Sequence, residues 1–134
     1  MTTTTAKLSQ HQRVILMSVY EATMQAEERA DAPGVHRVVR GWLDAWGIEW
    51  WPSTWWPNVK PASVSRSLRE LEARGLLLRQ NQHSGSPGQG YARTRADEPA
   101  PRRCTHVLLT EQGREAAKLL ISHVTQDINS LQEG

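Results

Sequence analysis

Residues 61–78 spell one amphipathic helix with both ends marked and a strand directly behind it. Val64, Leu68 and Leu71 recur at helical spacing, so they predict one narrow buried stripe. Ser63, Ser65, Arg66, Ser67 and Arg69 are left over the remaining surface. Pro61 suits a first turn, where its missing N–H would have no partner anyway, and Gly75 can take the left-handed conformation that ends a helix just after Arg74. Leu76, Leu77 and Leu78 are too few for another helix and predict a strand starting under the core. Residues 76–80 and 105–109 should pair as an antiparallel ribbon, after which Thr110 caps a further helix. The order over residues 58–117 is therefore helix, ribbon, helix, within a mainly α chain that carries one small antiparallel β-ribbon.

The exposed residues of the first of these helices have a chemistry of their own. Short hydroxyls let a helix approach a groove closely, and arginine can clamp a phosphate or the O6/N7 edge of guanine. Three pieces, Val64-Ser65-Arg66, Leu71-Glu72-Ala73-Arg74-Gly75-Leu76-Leu77 and Leu109-Thr110-Glu111-Gln112-Gly113-Arg114, follow one another with the expected elements between them. Together they resemble the winged helix-turn-helix transcriptional regulators of the MarR group, with PadR-type regulators second. The resemblance covers about half the chain and implies a dimeric, cytoplasmic regulator of transcription that binds double-stranded DNA. Its recognition helix, 61–74, would enter the major groove and its basic wing would rest on the backbone or minor groove. On this reading Ser63, Ser65, Arg66 and Arg69 contact bases, while Lys60, Arg79, Arg93, Arg95, Arg102 and Arg103 contact the DNA backbone.

The charge order agrees. Between residues 58 and 110 nine basic residues stand against four acidic ones, a net +5, which leaves −3 for the rest of a chain whose total is +2. Such segregation fits a polyanion footprint on one half and support from the other; a mixed solvated surface is the plainer reading. With 134 residues, 38% of them apolar and 22% charged, the chain is expected to form one domain with its own core. Its single cysteine, Cys104, has no partner for an internal disulfide, no basic start precedes an apolar N-terminal segment, and no apolar run nears the roughly 20 residues needed to span a bilayer. These features predict a cytoplasmic address and no membrane partner.

Along the chain, residues 1–7 are expected to be a flexible tail, and residues 8–30 and 111–132 to supply packing and dimerisation helices around a winged helix at 35–110. Ser9 should cap a helix over residues 10–29, with Leu8, Gln12, Ile15, Leu16, Val19 and Met24 along or near one face, ended by Asp31-Ala32-Pro33-Gly34. A second helix through Val35, Val38, Val39, Trp42, Leu43 and Trp46 should stop at Gly47. Trp50, Trp51, Trp55 and Trp56 then arrive as two pairs, each followed by proline, with Ser53 placed to cap a short helix over Thr54 to Trp56, the expected first helix of the helix-turn-helix. Rings of this size must fill core, subunit interface, a ligand pocket or a nucleic-acid platform; the resemblance to the MarR group implies that a ligand held there would be a small aromatic effector. Residues 81–103 are rich in glycine, proline, serine and arginine and read as a long wing loop, with a solvated insertion as the alternative. In the last helix Ala117, Leu120, Ile121, Val124, Ile128 and Leu131 form a stripe that needs something to pack on, whether the first helix of the same chain or that of a second subunit.

No enzyme constellation is present in the sequence: no glycine-rich phosphate loop with lysine, no Gly-x-Ser-x-Gly elbow and no carboxylate pair in a plausible pocket. No catalytic residue, cofactor or metal is expected. Cys104 and His106 could meet His83 or His11 at a metal, but the spacing fits no standard zinc signature, so a small packed cysteine and a solvent-facing histidine are the ordinary reading. Arg102 and Arg103 would favour the Cys104 thiolate. Two other readings of the fold stay open: a winged helix that binds protein through its tryptophan-rich segment, and a plasmid or viral replication or partition protein that binds DNA.

Overall fold

The computed structural model describes residues 8–34, 37–49, 61–81, 93–94 and 104–133. Among these, four helices, α1 (Gln10–Ala30), α2 (Arg37–Trp46), α3 (Pro61–Ala73) and α4 (Glu111–Glu133), surround three short strands, β1 (Ile48–Glu49), β2 (Leu77–Gln80) and β3 (His106–Leu109). The fold is mainly helical with a small antiparallel sheet of order β1-β3-β2.

The helix ends follow from local chemistry. The Ser9 side chain accepts from the Gln12 amide while Gln12 Oε1 accepts from the Ser9 amide, each at 3.1 Å, so α1 starts in a reciprocal capping box. α2 stops at Gly47, and α3 stops before Gly75, whose φ of +77° is the left-handed turn expected there. The β2–β3 ribbon pairs Leu77 with Leu109 and Gln80 with His106. A third strand was not anticipated from sequence: Ile48 and Glu49 pair with Val107 and His106 on the far edge of β3. Two residues carry no alternation to read, so only the pairing reveals them.

α1 is the hub, touching each of the other three helices. Its Ile15, Leu16 and Val19 are fully buried against Val64, Leu68 and Leu71 of α3, Leu76 and Leu77, Val107 of β3, and Ala117 of α4. Met24, expected along or near the apolar face, is instead exposed. The apolar stripe of α3 is thus what aims that helix: its back is held by α1, and its opposite side faces outward. No helix among the described residues is long and apolar enough to cross a membrane.

Candidate nucleic-acid interface

At about 100° per residue, the buried positions Val64, Ser67, Leu68, Leu71 and Glu72 define the inner side of α3. Arg66 and Ala73 lie most nearly opposite. Ala62 and Arg69 sit beside them on one side, with Ser65 further round, and Ser63 and Glu70 lie on the other side. The structure therefore brings four expected site residues, Ser63, Ser65, Arg66 and Arg69, onto one exposed surface. Ser67 leaves the group. It is buried, and its hydroxyl lies 2.8 Å from His11 Nδ1. The reason is visible in the spacing, because 64, 67, 68 and 71 form a single i, i+3, i+4, i+7 stripe whose second member is polar.

The electrostatics of this surface are one-sided. Neither the Arg66 nor the Arg69 guanidinium group forms an ion pair or hydrogen bond with another described residue. The acids of the same helix are engaged elsewhere: Glu70 accepts a hydrogen bond from Gln12 Nε2, and Glu72 turns inward. Neither exposed guanidinium group is ion-paired with a described carboxylate, although Glu70, also exposed, keeps its charge one turn beyond Arg66.

Glu72 overturns part of the expected backbone contacts. Arg79 and Arg93, assigned to phosphates from sequence, are only 9% and 7% exposed and converge on this carboxylate. Glu72 Oε1 accepts from Arg79 Nε at 3.2 Å and Nη2 at 3.0 Å, while Oε2 accepts from the Arg79 amide at 2.8 Å and Arg93 Nη1 at 2.7 Å. Both guanidinium groups serve internal structure, because β2 is buried along its whole length and its arginine must find its counter-charge inside. The signal in the sequence was Glu72 itself, one turn beyond Leu68 on the buried side.

Arg93, expected within a continuous wing loop, is stapled to β2. Gln80 Oε1 accepts from the Arg93 amide at 3.0 Å, and Gln80 Nε2 donates to the Arg93 carbonyl at 2.7 Å, so a side-chain amide pairs with the main chain as a neighbouring strand would. Arg93 Nη1 also donates to the Arg79 carbonyl at 2.9 Å. Lys60, Arg95, Arg102 and Arg103 lie outside the described residues, as do Trp50, Trp51, Trp55 and Trp56 and most of the expected wing.

His106 is not solvent-facing. It is buried beside Trp42 and Trp46, with ring centroids 6.3 and 6.2 Å away. Burial also pushes the Cys104 thiol up to about 11 from its ordinary 9.0, outweighing the nearby backbone hydrogen bond at Gln80 and the positive charge of Arg79. Burial thus disfavours the Cys104 thiolate, in keeping with a small packed cysteine. An unfolded thiol ionises near 9.0 and the folded one near 11, so its contribution to stability is complete below about pH 9 and is lost as pH rises toward 11. At about pH 8, alkylation of Cys104 by iodoacetamide should be on the order of 100-fold slower in the folded chain than in concentrated urea. Equal rates in the two states would show an open, ionised thiol. Among the described residues no three His, Cys, Asp or Glu side chains gather as a metal site would require.

A scan against protein-family models and searches of curated proteins and of solved structures gave no match to this chain.

Proposed function

We propose that the chain is a sequence-specific double-stranded DNA-binding protein, a MarR-like winged-helix regulator of transcription that acts as a homodimer and lays α3 in the major groove. The observation that carries this reading is the outward face of α3, where Arg66 and Arg69 stand exposed beside small residues and neither is ion-paired with a described carboxylate. The element order is compatible with it: α3 is followed by the antiparallel β2–β3 ribbon and then by α4, as the resemblance implies. Apart from α3, Lys60, Arg95, Arg102 and Arg103 remain the candidates for backbone contact.

The homodimer is inferred from α4. Its inward stripe of Gly113, Ala117 and Leu120 is buried, yet the next member, Val124, is 46% exposed, and the sequence continues the spacing at Ile128 and Leu131. A second copy would cover that stripe, and a twofold axis would set two α3 helices roughly 34 Å apart on a palindromic site.

The test is a titration against duplex DNA from upstream of the chain's own coding region, at several salt concentrations and with random duplex as competitor. Arg66→Ala should cost about 1–3 kcal/mol on the specific site and relax base preference, whereas Arg95→Ala should weaken all sequences alike and flatten the salt slope by about one. Equal losses for both variants on specific and random DNA would contradict the assignment.

A further inference from the structure

We infer that the groove floor read by α3 presents guanine to Arg66 and Arg69, so that the N7/O6 edge of guanine is the chemical group this surface selects. The inference rests on the DNA-binding reading and deepens it.

The residue types on α3 narrow the base it can read. Bidentate recognition of adenine needs the amide of asparagine or glutamine, and α3 contains neither. The usual partner of the cytosine amino group is a carboxylate, but Glu72 is buried and Glu70 Oε2 is taken up by Gln12 Nε2. The forked donors that remain outward are Arg66 and Arg69, and the base edge with two acceptors placed for such a fork is guanine O6/N7.

Position on the helix separates base reading from phosphate binding. A helix with its side chains is roughly 10–12 Å across and the major groove roughly 12 Å wide, so a seated helix turns its outermost residues to the floor and its flanks to the phosphate walls. Arg66 is among the outermost residues and Arg69 lies next to it, about 60° round the axis, whereas Ser63 and Ser65, read from sequence as base contacts, lie on the flanks and would meet the phosphate walls instead. Ala62 and Ala73, both exposed and both small, let the helix settle deep enough for the guanidinium groups to reach base edges. Three residues advance the helix by about 4.5 Å and one base pair advances the duplex by about 3.4 Å, so the two arginines fall on neighbouring or next-neighbouring pairs.

The experiment selects binding sites from a random duplex library with the full-length protein, then replaces each guanine of the selected half-site in turn by 7-deazaguanine. That base keeps its Watson–Crick pairing and loses the N7 acceptor. Two neighbouring or next-neighbouring positions should each lose about tenfold or more in affinity. Arg66→Ala should become insensitive to the substitution at one of them and Arg69→Ala at the other, while Arg66→Lys, which keeps the charge without the rigid fork, should retain binding to random duplex and weaken the guanine preference. Selected sites without guanine, or affinity unchanged by 7-deazaguanine at every position, would overturn the inference and leave DNA binding standing. Failure to bind any duplex would overturn the DNA-binding reading itself, and this inference with it.

Discussion

Glu72→Ala should destabilise the fold by about 3–5 kcal/mol, the range expected when one member of a buried charge cluster is removed and its partners are left inside without compensation. The side chains of Glu72, Arg79 and Arg93 are 9%, 11% and 8% exposed, so solvent screening offers little relief. Total stabilities of single domains lie near 5–15 kcal/mol, which makes this a large fraction of the whole. Urea unfolding should show the loss directly. Glu72→Gln should cost less, since it keeps acceptor and shape but not charge. Adding Arg93→Met to Glu72→Ala should cost less than the two single losses added together, because the second change removes a cation that the first had stranded. Amide exchange at Arg93 should quicken in Glu72→Ala if the carboxylate holds that residue on β2. A loss below about 1 kcal/mol would mean that water reaches the cluster and the pairing is that of a surface.

Gly113→Ala should be comparably severe, about 3 kcal/mol or more, for a reason with no electrostatics in it. A Cβ at Gly113 would lie 1.7 Å from the Leu76 carbonyl oxygen and 2.7 Å from its carbon, and backbone atoms cannot swing away as a side-chain tip can. The close approach is built by Thr110, whose hydroxyl donates to the Gly75 carbonyl at 2.6 Å and accepts from the Gly113 amide at 3.0 Å. The start of α4 is thereby locked to the turn that ends α3, and the outward face of α3 is set relative to β2 and β3. Thermal unfolding of Gly113→Ala should show a clear drop in midpoint, and Gly113→Val should fail to fold. A Gly113→Ala protein with unchanged stability would show that the contact between α4 and the α3–β2 turn is looser than described.

Much of this architecture was legible in the residues because it is written in local chemistry. Ser9 with Gln12, Pro61 with Gly75, and Thr110 mark helix ends by hydrogen bonds and dihedrals that each segment decides for itself. The α3 stripe likewise identified Arg66 and Arg69 as outward. What was not legible depends on partners distant in sequence. The count of +5 over residues 58–110 treated every cation as surface charge, yet Arg79 and Arg93 meet Glu72 inside. His106 alternates along its strand like an exposed residue, but Trp42 and Trp46 cover it. β1 is too short to carry a pattern, and Ser67 occupies a stripe position that only His11 explains. In each case sequence spacing gives the direction of a side chain from its own backbone and says nothing of what waits there.

The claim on which the functional reading turns is that the outward arginines of α3 distinguish one duplex from another. It is tested most directly by the ratio of affinities for a selected site and a random duplex at one fixed salt concentration, measured for the native chain and for the Arg66→Ala/Arg69→Ala double variant after circular dichroism has shown both folded. The native chain should show a ratio of about 10³ or more, and the variant a collapse toward unity with weaker residual binding to both duplexes. A ratio that survives the loss of both arginines would contradict the claim.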